Sequence, residues 1–569
     1  MALNKLPPKT TARDCTVDLL VVGSGTGMAS ALAAHEQGLS ALIIEKSEYV
    51  GGSTALSGGA FWIPGNPALD EASDSDALTR ARRYLRAVVG DDAPPELSDA
   101  FLRNGIATVE MLLRTTPMKF VWAKGYSDYH PTEPGGRDEG RTCECKPYNA
   151  RRLGKERARL RSGSMKAPIP MPVTGADYKW MNLMLKKPLK AVPRIALRLI
   201  QGIGGMAIGR EYISAGQALV AGMYTGVLEA GIPTWTETRL VRLVTTDGKV
   251  TGAVVSQDGT EHTVTTRRGV VLAAGGFDHE MELRRKYQSE RLGQNISLGA
   301  DTNTGDAIVV GQDAGAAIAL MDQAWWYPAV SPLPDAEPLH LLAERSLPGS
   351  FIVDQTGRRF INESVDYMTF GQRWLERDRA GDPVEEMWLV FDQEYRDSYT
   401  LTGQVFPRQP LPDSWYENGI AYTAATPEEL ARKAGLPEAA FKEQFERFNT
   451  QVIAGRDGDF GRGENAYDNY YGDPTNRPNP NLRALQPGSL YAVRMTLSDL
   501  GTCGGLQTDA NARVLREDGA AIEGLYAVGN TSANAFGKTY PGAGGTIGQG
   551  LVFGYVAAHH AASLAPITA

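Results

Sequence analysis

The residues whose spacing most clearly suits chemistry stand near the start of the chain. Gly23-Ser24-Gly25-Thr26-Gly27 follows a short apolar run, VDLLVV at 17–22, and precedes an Ala-rich stretch. Glycines in such a turn let the backbone bend tightly and approach a pyrophosphate, whose charge then rests on the N-terminus of the next helix. Glu45 follows Gly23 by 22 residues, close to the spacing at which a carboxylate reaches a ribose hydroxyl. The G-x-G-x-x-G pattern is broken at its sixth position, where Met28 stands and the third Gly comes one residue early. Alone, the motif also reads as a structural turn. Gly51-Gly52-Ser53-Thr54 through Ser57-Gly58-Gly59 adds a second polar, Gly-rich loop, and GVVLAAGGF at 269–277 and GLYAVGN at 524–530 add two more far along the chain. A nicotinamide site is usually complete within one contiguous domain. A site gathered from both ends and the middle of the chain suits a larger flavin dinucleotide. FAD is therefore the expected cofactor, on Gly23, Ser24, Gly25, Gly27, Glu45, Gly52, Ser53, Thr54, Ser57, Gly58, Ala274, Gly275, Gly529 and Asn530.

The elements that must carry these loops are a strand at 17–22, a helix at 28–38 and a second strand at 41–44, a βαβ unit. Residues 75–116 have helical periodicity. Strand-like sequence returns at 239–255, with a turn at Asp247-Gly248, and at 269–274. Between about 316 and 485 the texture is mixed helix and strand with many aromatics. There Thr426-Pro427-Glu428-Glu429 is a capping box with Pro at the first helical position. The Pro-rich stretch 471–480 reads as a linker, and no internal repeat is present. The expected fold is α/β: a Rossmann-like FAD-binding domain assembled from residues 1–315 and 486–569, with an α+β catalytic domain inserted at 316–485.

Composition narrows the function classes. The 569 residues carry a formal charge of −8, which disfavours a nucleic-acid partner, and the 63 Gly exceed the usual share. Four Cys make no disulfide framework. Cys143 and Cys145 form a lone C-x-C, so no metal site is expected and all four read as thiols of a reducing compartment. The opening MALNKLPPKTTARDC has no apolar core of a signal peptide, and no apolar run is long enough to span a membrane. These features point to a cytoplasmic location. Residues 146–210 differ from the rest: 15 Lys and Arg face two acids, Glu156 and Asp177, a balance of +13 against −21 elsewhere. Within it, 179–210 holds seven basic residues and no acid, interleaved with apolar ones, and Pro188 and Pro193 are expected to break it into short helices. It reads either as a solvated amphipathic face or as a segment lying peripherally on the cytoplasmic membrane, where each Lys or Arg near an anionic surface adds ~1 kcal/mol.

Several longer motifs carry a family resemblance. E-K-x(4)-GGST-x-x-SGG from Glu45, NTGD at 303–306, RRFINE at 358–363 and GLYAVGN resemble the flavoproteins of the fumarate reductase and succinate dehydrogenase superfamily. Within it, GYSDYHP at 125–131, SDLGTCGG at 498–505 and TYPGAGGTIG at 539–548 resemble the 3-ketosteroid Δ1-dehydrogenases, over nearly the whole chain. The resemblance adds Lys46, Asp306 and Ile547 to the cofactor site. It implies that the Tyr540 hydroxyl and Gly544 N–H hold the C3 carbonyl of a 3-ketosteroid, and that Tyr367 removes the C2 proton. Tyr129 would assist Tyr367, and hydride would pass from C1 to FAD N5. The electrons would then go to an external acceptor, for which a quinone is one candidate.

A phenol of pKa ~10 is a poor base at neutral pH unless its anion is stabilised, and Asp366, next to Tyr367, would oppose that if it pointed inward. Superfamily members acting on dicarboxylates carry an Arg where this chain has Tyr367 and a His where it has Gly501, which disfavours such substrates on charge grounds. The alternatives are a Δ4-(5α)-dehydrogenase or another fumarate-reductase-like flavin reductase, and a non-catalytic flavin-loaded lipid-binding protein. Trp325 and Trp326 read either as the floor of an apolar pocket or as core, and Cys503 as packing.

Overall fold

The computed structural model of the protein describes residues 6–163, 169–293, 296–334 and 336–567, so Lys166 of the basic stretch lies outside the described residues. β1 (Cys15–Val22), α1 (Gly27–Glu36) and β2 (Ala41–Ile44) form the expected βαβ unit. The two strands pair in parallel and their apolar runs are buried, as central strands covered on both faces must be. Gly27 explains how Met28 is tolerated. A Cβ on Gly27 would lie 2.9 Å from Ala273 Cβ and 3.0 Å from Val21 Cγ1, so this glycine, one place early, is what seats α1 closely on the sheet.

The basic stretch supplies α2 (Gly175–Asn182), capped reciprocally by Thr174 and Asp177, and α3 (Pro188–Leu199). Pro188 starts α3, as a first-turn proline can, but Pro193 lies inside the helix and does not break it. Pro193 is exposed, and so is Leu189, whose carbonyl the missing N–H leaves without a helical donor.

β3 (Thr260–Leu272) pairs in parallel with the other side of β1. The hairpin Thr238–Thr246 and Lys249–Gln257 hangs from it in antiparallel fashion, turning at Asp247 and Gly248, both at positive φ. A second, six-stranded sheet is built from strands between Ala324 and Thr502. Its central strand, β4 (Leu490–Thr502), pairs antiparallel with Ala324–Val330 and with Met387–Asp392, so this sheet extends past residue 485. The chain then returns to the first sheet through β5 (Ala521–Ala527), parallel to β3, and closes with α5 (Gly545–Ser563). Gly550 and Gly554 let α5 approach α1: a Cβ at either would come within 3 Å of Thr26 or Ser30. The architecture is the expected mixed α/β fold, with the first sheet joining both ends and the middle of the chain.

The stretch 471–480 is not a linker. Tyr471 and Asp473 are buried, Asp473 N–H donates to Pro480 O (2.9 Å), and the Tyr399 hydroxyl donates to Asp473 (2.7 Å). Its polar residues satisfy one another inside the protein, which composition alone cannot reveal.

α4 (Tyr367–Arg379) begins at a residue singled out above, and what fixes its start is a buried ion cluster. Arg359 holds Glu363 through Nε (2.6 Å) and Nη2 (2.8 Å), and Asp457 through both Nη atoms (3.0 and 2.9 Å). Arg462 reaches Glu363 at 3.3 Å, and Arg345 Nη1 donates to the carbonyls of Glu363 (2.5 Å) and Val365 (2.9 Å). The side chains of Arg359, Glu363, Asp457 and Arg462 are each at most 1% exposed, so removing one charge leaves its partners buried without compensation. Glu363→Ala is expected to lower unfolding stability by about 3–5 kcal/mol in urea denaturation. A change under about 0.5 kcal/mol would show that the cluster does not hold the segment.

Candidate active site

A cavity of about 750 Å³ runs between the two sheets. Each cofactor residue expected from sequence lines it except Gly27, the first residue of α1, which faces the sheet, and all four expected catalytic residues line it too. At one end stand the glycine turn, Glu45, Lys46, the loop 52–54, Ala274, Gly275 and Asp306. Gly23 has φ +110°, and a Cβ there would meet Ala273 O at 2.3 Å, so only glycine makes this turn. The N–H groups of Gly25 and Thr26, at the start of α1, have no hydrogen-bond partner among the described residues. Unpaired amides at a helix N-terminus suit a pyrophosphate. Glu45 accepts from Ser24 Oγ (2.6 Å) and N–H (3.1 Å), which holds its carboxylate at the tip of β2 where a ribose would sit. Lys46 bridges to Asp306 (2.9 Å) and Thr304 (2.7 Å), tying the start of the chain to the NTGD loop. The residues present fit FAD.

The other end is a cluster of tyrosines. The Tyr129 hydroxyl donates to that of Tyr367 at 2.9 Å, and Tyr126 lies 3.3 Å further along the same chain of hydroxyls. Gly544 N–H donates to the Tyr540 hydroxyl at 3.3 Å. The ring of Tyr540 is centred 5.1 Å from that of Tyr129 and 5.4 Å from that of Tyr367. Tyr129 is positioned from both sides: its N–H donates to Pro541 O (3.1 Å), and neighbouring Asp128 is ion-paired with Arg141 and accepts from Trp62 Nε1 (2.8 Å). Gly544, at φ +91°, is required for a reason the sequence did not supply. Its Cβ would strike Ala60 at 2.4 Å, so the limit is protein backbone as well as room for a ligand.

Burial raises the pKa of all three tyrosines above the ordinary phenol value. At Tyr367 the bond from Tyr129 works in the opposite direction, because a donated O–H favours the phenolate. At Tyr540 the donors are Tyr367 and the N–H groups of Gly544 and Thr546. Asp366 is turned away. It caps α4, accepting from Thr369 N–H (3.0 Å) and Oγ1 (2.6 Å).

Trp325 and Trp326 do not line the cavity. Trp325 packs against Tyr540, with ring centres 4.7 Å apart, and donates to Asn530 (3.0 Å), so it supports the site from the core. Beyond the tyrosines the cavity wall is mostly apolar, with Met181, Met184 and Ile195 from the basic stretch and Leu339, Leu342 and Phe406 among its lining, beside the polar Asn182, Thr400, Thr402 and Gln404. Among the described lining residues the one cation is Lys46, at the cofactor end, and burial pushes His340 down to about 4. At Gly501 the backbone has φ +126°, a conformation that a histidine would adopt only with strain. Sequence reasoning missed Tyr126, although it sits three residues before Tyr129 in the same motif. It also missed Glu144, a cavity residue inside the C-x-C, whose carboxyl burial pushes up to about 7.

Comparison with known proteins agrees with this geometry. Residues 18–547 match the model of the FAD binding domain family. The chain is 43% identical to a 3-oxosteroid 1-dehydrogenase of Mycolicibacterium smegmatis, over 95% of this chain and 96% of that one. It is 35% identical to a 4-oxocyclohex-2-ene-1-carboxylate 5-dehydrogenase of Sinomonas cyclohexanicum, over 96% of this chain and 94% of the relative. Its fold matches that of a 3-ketosteroid Δ1-dehydrogenase from Sterolibacterium denitrificans, solved with 1,4-androstadiene-3,17-dione, at a TM-score of 0.89 and 36% identity, covering 96% and 99% of the two chains. The chain belongs to the FAD-binding flavoproteins and, among them, to the 3-oxosteroid 1-dehydrogenase family.

Proposed function

We propose that this protein introduces the 1,2 double bond into 3-ketosteroids, converting a 4-en-3-one to a 1,4-dien-3-one. The observation that carries the reading is the Tyr129–Tyr367 hydroxyl pair beside Tyr540 and Gly544, at the mouth of an apolar chamber. Bound FAD, on the residues described above, supplies the acceptor for the hydride that leaves C1. Tyr540 O–H and Gly544 N–H hold the C3 carbonyl oxygen and stabilise the enolate that forms as C2 loses its proton; one such donor is worth roughly 2.7–4 kcal/mol. The Tyr367 oxygen takes that proton. The Tyr129 O–H favours the anionic form of Tyr367 beforehand. A ring ketone bearing a carboxylate, as in the Sinomonas relative's name, would need a cation in the chamber, and the apolar lining supports a steroid instead.

No helix among the described residues is long and apolar enough to cross a membrane. α3 and the residues after it expose Leu189, Val192, Leu197, Ile200, Ile203, Met206 and Ile208, while Ile195 of the same helix lines the chamber. This supports a cytoplasmic enzyme resting on the inner membrane surface, where a water-insoluble steroid and a quinone-class electron acceptor both dissolve.

Three outcomes test these statements. Tyr367→Phe should keep the bound flavin's absorbance but slow flavin reduction by steroid by roughly 10²–10⁴ in stopped flow, and an unchanged rate contradicts its role as base. Tyr129→Phe removes the bond that lowers the Tyr367 pKa, so the alkaline rise in kcat should move to higher pH and the neutral-pH rate should fall. A profile that does not move sinks the assisting role. Val192→Asp with Ile200→Asp should abolish sedimentation with anionic vesicles and leave turnover of detergent-dispersed steroid intact.

A further inference from the structure

A second cleft, of about 620 Å³, opens where the basic stretch meets the body of the protein. Among the described residues, five cationic side chains line it, Lys119, Lys146, Arg152, Arg198 and Arg210, and no Asp or Glu does. Arg198 is already committed to Asp177 (2.6 Å). The other four have no carboxylate within ion-pair distance among the described residues. Most charged side chains elsewhere are paired, so four like charges around one hollow repel without relief until an anion enters. None of these residues belongs to the steroid or flavin cavity.

The surroundings limit what that anion can be. Arg198 and Gln201 line the cleft, while Leu197, Ile200 and Ile203, interleaved with them in sequence, are more than half exposed. A ligand filling the cleft would therefore carry negative charge at one end and meet apolar side chains beside it. We propose that this cleft is a binding site for the headgroup of an anionic phospholipid bearing more than one phosphate charge, such as cardiolipin. Single-charge lipids would leave most of its cations unmatched. The proposal rests on the membrane-surface reading above and adds to it a specific site: docking by α3 needs only apolar insertion, whereas the cleft discriminates between headgroups.

The experiment uses the flavin-loaded enzyme and co-sedimentation with phosphatidylcholine vesicles containing either cardiolipin or phosphatidylglycerol at equal surface charge. Wild type should bind the cardiolipin vesicles about tenfold more tightly. Lys119→Glu with Lys146→Glu, both exposed side chains, should erase that preference while weaker binding to phosphatidylglycerol vesicles and steroid turnover persist. Equal binding of wild type to the two vesicles overturns the cleft proposal and leaves the docking reading standing. Loss of all vesicle binding in Val192→Asp/Ile200→Asp together with a retained cardiolipin preference in wild type supports both. Inorganic pyrophosphate displacing the enzyme from cardiolipin vesicles only at bulk-screening salt levels supports a lipid site. Tight stoichiometric pyrophosphate binding, without the lipid preference, would mean a soluble anion and overturn it.

Discussion

The contact between the hydroxyls of Tyr129 and Tyr367, 2.9 Å apart, joins side chains separated by 238 residues, and much of the molecule is arranged around it. Neither tyrosine would serve alone. Burial disfavours the phenolate, and a buried phenol with no donor would stay protonated throughout the physiological range. A donated hydroxyl at this distance offsets part of that penalty only while both rings are held still. Tyr129 is fixed by the buried Asp128–Arg141 pair and by Pro541 O, and Tyr367 by the helix start that the Arg359–Glu363–Asp457–Arg462 cluster anchors. Buried charge is costly, and here it is spent on placing one hydroxyl.

The cavity shows the same logic at larger scale. Its cofactor end belongs to the first sheet, where β1, β2, β3 and β5 converge from three parts of the chain, and its apolar end is walled by the second sheet and by the basic stretch. The loop 540–544 meets both ends. Thr142 Oγ1 donates to Ala543 O (3.0 Å) and Trp62 N–H to Gly544 O (3.1 Å), so this loop is held by Ala60–Trp62 and Thr142–Cys145, paired strands of a separate three-stranded sheet.

How much of this was legible depended on the range of the interaction. β1, α1 and β2 could be read because a buried parallel strand is a continuous apolar run and its turn needs glycine. The role of Gly27 could not, because it is set by Ala273, remote in sequence. Arg359 and Glu363 look like a helical i, i+4 pair but lie outside any helix, and their third partner, Asp457, is 98 residues away. The basic stretch was visible as charge. That Met181, Met184 and Ile195 turn inward while Leu189, Val192 and Ile200 turn outward is a matter of tertiary packing, and periodicity interrupted by two prolines did not give it. Tyr126 was within reach: its spacing from Tyr129 already placed a third hydroxyl near the pair.

The central claim is that this tyrosine cluster, next to a bound flavin, dehydrogenates ring A of a steroid. Its most direct test is an anaerobic titration of the purified flavoprotein with a 4-en-3-one steroid, following flavin absorbance at about 450 nm and the organic product. The account predicts stoichiometric bleaching and one equivalent of the 1,4-dien-3-one. A flavin that stays oxidised while the steroid binds would contradict it.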